Sequence, residues 1–180
     1  MKIAFINGKG GVGKSTCSLL FALALDAAGK TVKVIDKDPQ GTISASLSRI
    51  DKEHLLGSQE ADITIIDTPP RLLDYVNEVV NIADKIIVVS GQGAPDLETT
   101  MDTLNLIKRE NKLDQTKILF NKLKKGTNAE AFALSLDLPA DVSSHNFHDL
   151  EQIARIHTHG FGALRGKAKE TVMNCILEVL

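Results

Sequence analysis

The sequence predicts an α/β fold in which a mainly parallel, twisted sheet is flanked by helices on both faces. Short runs rich in Ile and Val alternate along the chain with longer segments of helical pattern, and this alternation is typical of parallel sheets. The chain is 43% hydrophobic but only 4% aromatic, with no Trp. We therefore expect a core of Ile, Val, Leu and Ala, as in a parallel sheet that is buried on both faces.

The first strand and helix are predicted from the start of the chain. Residues 3–7 form an apolar strand, and the helix at residues 15–28 ends before Gly29, a residue favoured just after a helix. Residues 31–36 form the second strand, so the two strands and their helix make one right-handed parallel unit. Ligands of such units bind at the carboxyl ends of the strands.

Later elements follow from similar signals. The helix at residues 95–109 begins at Pro95, which suits the first helical position, and Asp96 favours its N-terminus electrostatically. Thr127 and Glu130 form a capping box that starts another helix. The remaining predicted strands are at residues 62–67, 85–90 and 116–121, with a short edge strand at 136–142, and the remaining helices are at 43–50, 72–82, 147–157 and 163–180.

The strongest functional signal is a glycine-rich loop between the first strand and the first helix. It fits G-x-x-x-x-G-K-[ST] and reads, in order, Gly8, Lys9, Gly10, Gly11, Val12, Gly13, Lys14, Ser15 and Thr16. Glycines allow backbone N–H groups to turn inward around phosphates, and the helix N-terminus adds further donors. We expect Lys14 to neutralise the β- and γ-phosphates and the Ser15 hydroxyl to complete the shell of a Mg²⁺ ion. The loop predicts a P-loop NTPase.

A second lysine, Lys9, follows the first glycine of this loop. Residues 9–15 match the signature KGGVGK[ST], and the chain resembles the ParA/MinD family of deviant Walker A ATPases. The resemblance implies that the nucleotide is ATP, that hydrolysis is slow, and that Lys9 reaches across a homodimer to the nucleotide of the partner subunit. The alternative for Lys9 is a solvated surface side chain.

An acidic turn follows the second strand. Asp36 and Asp38, with Pro39 and Gly41 after them, place two carboxylates beside the phosphate loop. The run is similar to the D-x-D-P-Q-G signature of the ParA branch. On this resemblance, Asp38 orients or activates the attacking water, and Asp36 supports the nucleotide and its metal shell. The alternative is an Asp-Pro turn with solvated charges.

Two further strand ends carry polar residues. Asp67 ends the third strand and fits the acidic residue that holds the Mg²⁺ water shell in P-loop proteins. The resemblance implies that Thr68 and Pro69 sense the γ-phosphate and that Asn121, after the fifth strand, contacts the adenine. An Asp or Asn at a strand end is otherwise a common turn former.

Basic residues concentrate in two segments of the second half of the chain. Residues 108–125 hold seven Lys or Arg against two acids, and residues 152–169 hold four against none. The two segments could share one face and track the phosphates of duplex DNA without sequence preference. The residues assigned to this contact are Lys122, Lys124, Lys125, Arg165 and Lys167. A solvated charged face is the alternative.

The composition bounds the remaining choices. A net charge of −2 excludes a strongly basic field over the whole protein, and two cysteines are too few for a disulfide framework. Four histidines between residues 145 and 159 lack the completing ligands of a metal site. No apolar run approaches the ~18 residues of a membrane helix, so we expect a soluble, cytoplasmic protein.

The expected protein is therefore one domain, residues 1–180, that acts as a ParA-type partition ATPase. The resemblance implies an ATP-bound dimer on the bulk DNA of the nucleoid, released when a centromere-binding ParB-type partner stimulates hydrolysis. A MinD-like membrane-positioning ATPase is one alternative, although Glu170 and Glu178 in the last helix oppose membrane binding. A metabolic or metal-cluster maturation enzyme on the same loop is another, although such enzymes need further cysteines or a substrate lid.

Overall fold

The centre of the protein is a parallel sheet of six strands. Their bounds are β1 Lys2–Ile6, β2 Val32–Asp36, β3 Ile63–Asp67, β4 Lys85–Ser90, β5 Thr116–Phe120 and β6 Asp141–Val142. The computed structural model describes residues 1–57, 60–70 and 76–180, and within these ranges the strand order is β2-β3-β1-β4-β5-β6. Every pairing between neighbouring strands is parallel. The parallel sheet predicted from the sequence is confirmed.

Helices connect the strands. Their bounds are α1 Lys14–Ala27, α2 Thr42–Arg49, α3 Val76–Ile82, α4 Ala94–Arg109, α5 Asn128–Ser135, α6 Glu151–Ala154, α7 Ile156–His159 and α8 Gly166–Val179. Short 3₁₀ turns lie at Glu53–Leu56, Leu113–Gln115 and Gly160–Ala163. Of the helix predicted at residues 72–82, residues 72–75 lie outside the described ranges.

The helices pack on both faces of the sheet, because alternate residues of a strand point to opposite faces. Ile3 and Phe5 of β1 belong to the core that includes α1, α2 and α8, whereas Ala4 and Ile6 belong to the core that includes α3, α4 and α5. Phe5 meets Phe21 of α1 edge to face, with ring centroids 5.0 Å apart. Because β1 is buried on both faces, the loop that follows it starts from a fixed position.

The helix predicted at residues 147–157 is wrong in its first part. Phe147 and the two residues after it run extended beside the end of β5. The Phe147 N–H donates to the Phe120 carbonyl at 2.8 Å, and the Asp149 N–H donates to the Leu123 carbonyl at 2.9 Å. If this segment were a helix, its N–H groups would bond within the helix, and the carbonyls of Phe120 and Leu123 would lose these partners. Helical structure begins only at Glu151 and is divided into α6 and α7.

Two closing elements are shorter than predicted. The edge strand contains only β6, paired with β5, and Pro139 lies outside it because proline has no N–H to donate to a ladder. The last helix begins at Gly166 rather than at Ala163. Ala163 belongs to a 3₁₀ turn, and Arg165 has an extended backbone with φ −136° and ψ 154°.

The carboxyl ends of β1, β2 and β3 meet at one edge of the sheet. The strand register pairs Asp67 with both Phe5 and Asp36, so the two acids end neighbouring strands. The loop after β1 therefore opens beside two carboxylates, in the position where parallel α/β sheets bind their ligands.

Candidate nucleotide-binding site

The glycine loop joins β1 to α1 at this edge of the sheet. Gly11 and Gly13 have φ values of 81° and 95°, in the left-handed region that glycine tolerates, and Gly13 is the N-cap of α1. A Cβ on Gly13 would also collide with the side-chain amide of Asn121. No side chain among the described residues caps α1. Its first N–H groups are thus free of side-chain caps and can donate to an anion.

Lys14 is the first residue of α1, and its side chain lies against the loop. It is only 6% exposed, and its Nζ donates to the Lys9 carbonyl at 3.0 Å. Burial lowers the pKa of Lys14, while the charges of Asp67 and Asp38 act in the opposite direction. The loop therefore contains a buried cation within the electrostatic reach of two carboxylates.

Lys9 points to a different partner. Its backbone N–H donates to Asn7 Oδ1 at 2.9 Å, and its Nζ lies 2.5 Å from Asp96 Oδ1 in the first turn of α4. The Lys9 side chain is 35% exposed and the Asp96 side chain 23%. Lys9 is thus paired within its own chain and partly accessible to solvent.

Asp67 is the most buried acid of the site. Its Oδ1 accepts from the Ser18 hydroxyl at 2.9 Å, and its Oδ2 is buried with no hydrogen-bond partner among the described residues. Burial raises the pKa of Asp67 to about 6, and the charge of Asp36 adds to this, while Ser15, Ser18 and Lys14 act in the opposite direction. A buried, unpaired carboxylate oxygen needs a donor such as a metal-bound water.

The donors at this edge fit a magnesium ion held mainly by phosphate and water. Within the described residues, no group of three or more His, Cys, Asp or Glu could hold a metal ion by itself. Ser15 lies near enough to Asp67 to lower the pKa of this carboxyl, yet Oδ2 of Asp67 has no hydrogen-bond partner among the described residues. Mg²⁺ keeps several waters and is typically bound by one or two protein oxygens together with substrate phosphates. The residues present therefore suit Mg²⁺ bound together with a nucleotide.

Asp36 stabilises the start of α2. Its Oδ2 accepts from the Ser44 N–H at 3.0 Å and from the Ser44 hydroxyl at 2.7 Å, and its Oδ1 accepts from the Asp38 N–H at 3.1 Å. Asp38 in turn accepts from the Gln40 N–H at 3.0 Å. The bonds of Asp38 N–H to Asp36 and of Gln40 N–H to Asp38 are those of an Asp-Pro turn, whereas the Ser44 bonds tie the turn to α2. The charge of Asp38 also acts to raise the pKa of Lys14, so the turn lies near the phosphate loop.

Two residues after β5 hold the loop from the other side. Asn121 is 1% exposed, its Nδ2 donates to the Val12 carbonyl at 2.9 Å, and its Oδ1 has no partner among the described residues. Lys122 has a left-handed backbone with φ 58°, and its Nζ donates to the Gly11 carbonyl at 2.9 Å. The side chain of Lys122, assigned to DNA by sequence, thus lies on the phosphate loop.

The segment after β3 also reaches the loop. The Thr68 hydroxyl donates to the Phe5 carbonyl at 2.7 Å, and Pro69 is buried. A Cβ on Gly10 would lie 3.7 Å from the Cβ of Pro70. This is an ordinary van der Waals distance, so the segment after β3 lies directly beside the loop.

The geometry agrees with the comparison with known families. Residues 3–145 match the model of the CobQ/CobB/MinD/ParA nucleotide binding domain. The chain belongs to this family. The ParA/MinD resemblance and the P-loop α/β fold predicted from the sequence are both confirmed.

Individual members of the family are similar to the chain to different extents. "Maintenance of carboxysome distribution protein A" of Gloeobacter kilaueensis is 32% identical over 119 residues, which cover 57% of this chain and 55% of that protein. The match thus spans about half the length of that relative. Among the solved structures of similar fold, two that contain a nucleotide each align with 99% of the chain.

The two structures share the fold at low sequence identity. A protein from Borrelia burgdorferi B31 assigned to plasmid partition, bound to AMPPNP, has a TM-score of 0.75, 18% identity and 97% of its own length covered. MinD of Pyrococcus horikoshii OT3, in complex with Mg-ADP, has a TM-score of 0.70, 17% identity and 95% of its length covered.

The other four basic residues that the sequence assigned to DNA lie together on one side of the protein. Lys124 and Lys125 line a groove of about 900 Å³ together with Arg165 and Lys167. Its floor includes the buried side chains Leu123, Phe147, Ile153 and Ala168. Two segments that are about 40 residues apart in sequence thus meet at one groove, which we call the basic groove, although its lining also includes the acids Glu130 and Asp149.

Sequence reasoning missed several residues that contact the loop or its helix, Asn7, Asp96 and His157 among them. Asn7 is fully buried, and its Nδ2 donates to the Val89 carbonyl at 2.7 Å while its Oδ1 accepts from Lys9. Asp96 pairs with Lys9, and His157 Nε2 lies 3.0 Å from Thr16 Oγ1. Only Asn7 had a local signal, because it directly precedes the loop.

Proposed function

We propose that the chain is a ParA-type partition ATPase, a single domain of residues 1–180 that dimerises around Mg-ATP, hydrolyses it slowly and binds duplex DNA of any sequence. The observation that carries this proposal is the basic groove formed by Lys124, Lys125, Arg165 and Lys167 on a domain with an intact phosphate loop. Membership in a family of P-loop ATPases supports the nucleotide part.

ATP and Mg²⁺ are the cofactors of the proposal. The backbone of Gly8, Gly10, Gly11, Val12 and Gly13 would surround the phosphates, with Lys14 as their cation. Ser15, Asp36 and Asp67 would hold the metal with its waters, and Thr16, Pro69 and Asn121 would contact the nucleotide. The AMPPNP bound in the Borrelia burgdorferi structure and the Mg-ADP bound in the Pyrococcus horikoshii structure support this assignment.

Catalysis in this proposal consists of positioning and electrostatics. Lys14 and Mg²⁺ would stabilise the charge on the transferred phosphoryl group, and Asp38 would hold the attacking water. Lys9 would leave Asp96 and reach the nucleotide of the partner subunit. A second copy of the chain is therefore part of the proposed site.

DNA binding would depend on the nucleotide. One groove with four Lys or Arg side chains makes few phosphate contacts, but an ATP-bound dimer presents two grooves and doubles that number. This would keep the protein on the nucleoid while ATP is bound. A ParB-type centromere-binding partner would stimulate hydrolysis and release it.

The structure favours partition over the two alternatives. The apolar stripe of α8, formed by Val172, Cys175, Ile176 and Val179, is buried in the core and so is not free for a membrane surface. Cys17 and Cys175 are both buried, a poor position for holding a metal cluster.

Fluorescence anisotropy with a labelled duplex tests the proposal. Saturating Mg²⁺ with a slowly hydrolysed ATP analogue should give binding to several unrelated duplexes with similar affinity, and ADP should abolish it. Equal binding in ADP and in the analogue, or no binding in either, would refute nucleotide-switched DNA binding. Phosphate release by the same protein tests hydrolysis separately.

A further inference from the structure

His157 joins the phosphate-loop helix to two other helices. Its Nε2 lies 3.0 Å from Oγ1 of Thr16 in α1, and its Nδ1 lies 2.8 Å from Oγ of Ser46 in α2. Its own carbonyl in α7 accepts from Arg49 Nη1 at 3.1 Å. One imidazole thus contacts the helix of the nucleotide site with one nitrogen and α2 with the other.

The direction of these hydrogen bonds follows from the protons available. Ser46 has one hydroxyl proton, and its Oγ lies 2.7 Å from the Thr42 carbonyl, which can only accept. The Ser46 proton is therefore committed to Thr42, and Nδ1 of His157 must be the donor to Ser46. Burial and the neighbouring Arg49 lower the pKa of His157, so the ring is neutral near pH 7.

A neutral imidazole that is protonated on Nδ1 has an acceptor at Nε2. The Thr16 hydroxyl must therefore donate its only proton to His157. Phosphate oxygens also only accept, so a nucleotide that contacts the Thr16 hydroxyl needs the same proton. His157 and a phosphate oxygen are two acceptors for one proton.

We propose that His157 is a positioning residue for the nucleotide: its Nε2 accepts from Thr16 in the free protein and becomes the donor to Thr16 when Thr16 donates to a bound phosphate. The inference rests on the nucleotide binding proposed above and adds a residue more than 140 positions from the loop. The ring takes up one proton from the solvent at Nε2 and keeps Nδ1–H on Ser46. The negative charge of the phosphates favours this cation, whereas burial and the charge of Arg49 oppose it.

Nitrogen NMR of histidine-labelled protein tests the proton directly. The sequence has five histidines, so the His157 signals are assigned by their loss in His157→Gln. The free protein at pH 7 should show a protonated Nδ1 and an unprotonated Nε2. Saturation with Mg²⁺ and an ATP analogue should protonate Nε2. A protonated Nε2 in the free protein, or an unprotonated Nε2 at saturation, would overturn the inference.

Nucleotide affinity provides the second test. His157→Asn places an amide near the Nδ1 position but leaves no atom at the Nε2 position, so the bond to Thr16 is lost. In the bound state this bond is charge-assisted and therefore stronger than the neutral bond of the free state. Affinity for the analogue should fall about fivefold. In a Thr16→Val background, the same substitution should change affinity less than about twofold, because no hydroxyl remains to orient.

The control is His159→Asn, an exposed position in the same helix, which should leave affinity unchanged. Equal effects of His157→Asn with and without the Thr16 hydroxyl would show that His157 has only a packing role. A wild-type protein that binds no nucleotide would instead refute the proposed function. Nucleotide binding without the Nε2 change would refute only the role of His157.

Discussion

The ammonium of Lys9 lies 2.5 Å from the carboxylate of Asp96 in the same chain. The proposed function needs this ammonium at the nucleotide of a partner subunit, so the intrachain pair and the dimer contact exclude each other. Asp96 also accepts from the Gly93 N–H at 3.2 Å, and a Cβ on Gly91 would collide with its carboxylate. The acid is therefore fixed by its own loop, and Lys9 is the partner able to leave.

Weakening this pair should promote dimerisation. Asp96→Asn keeps an acceptor for Gly93 but removes the charge that holds Lys9. A partly exposed ion pair contributes up to about 1 kcal/mol, and a dimer requires two such pairs to break, so the dimer dissociation constant should fall by up to about 30-fold with an ATP analogue. Light scattering across a concentration series measures it. Asp102→Asn, an exposed acid of the same helix, is the control, and Lys9→Ala should remain monomeric. A wild-type monomer in saturating analogue would remove the trans role of Lys9.

Lys14 and Asp38 should separate binding from turnover. Lys14→Ala removes the buried cation of the loop, so binding of a fluorescent ATP analogue should be lost. Asp38→Ala should retain binding but lose phosphate release, because the proposed role of Asp38 concerns the attacking water. Asp137→Ala is a control for the loss of an acid elsewhere. Equal turnover in wild type and Asp38→Ala would leave Asp38 with only its turn-forming hydrogen bond to Gln40.

The sequence predicted the strands and the glycine loop because their signals are local. Residues 8–16 contain the complete loop pattern, and β-branched runs mark the strands that surround it. The contacts that it could not predict join distant residues: Thr16 meets His157 across 141 positions, and Lys122 meets Gly11 across 111. Lys122 appeared to belong with Lys124 and Lys125, but its left-handed backbone directs it to the loop.

The buried carboxylate of Asp67 should cost stability at neutral pH. Its pKa is raised to about 6 in the folded protein, above the ordinary 3.8, so the folded state holds this proton more tightly than the unfolded state. The free energy of unfolding should therefore fall as pH rises from about 4 to 6, and the loss persists at higher pH. Asp67→Asn should stabilise the nucleotide-free protein by about 1 to 3 kcal/mol at pH 7.5.

Urea denaturation of both proteins at pH 4.5 and pH 7.5 measures this difference, which should shrink at the lower pH. Asp51→Asn is the control, because Asp51 is exposed and its φ of 56° suits Asn. The same Asp67→Asn protein should lose magnesium-dependent phosphate release. An unchanged or lower stability at pH 7.5 would show that the Asp67 charge is compensated without a ligand.

The basic residues should divide into two groups with different effects. Arg165→Ala with Lys167→Ala, or Lys124→Ala with Lys125→Ala, removes charge from the groove, so duplex DNA should bind more weakly in the presence of the ATP analogue. Each lost phosphate contact should lower the slope of log affinity against log salt by about 0.9. Nucleotide affinity should not change, because these side chains line a groove that contains none of the loop residues.

Lys122→Ala should behave differently, because Lys122 donates to the Gly11 carbonyl and supports the phosphate loop. Nucleotide affinity should fall about two- to tenfold, as expected for one hydrogen bond. DNA binding at saturating nucleotide should retain the wild-type salt slope. Lys30→Ala with Lys85→Ala, at the opposite edge of the sheet, is the matched control for loss of two charges. If the salt slope falls equally in Lys122→Ala and in the groove variants, Lys122 contacts DNA after all. If the slope is unchanged in both groove variants, the groove is not the DNA-binding surface.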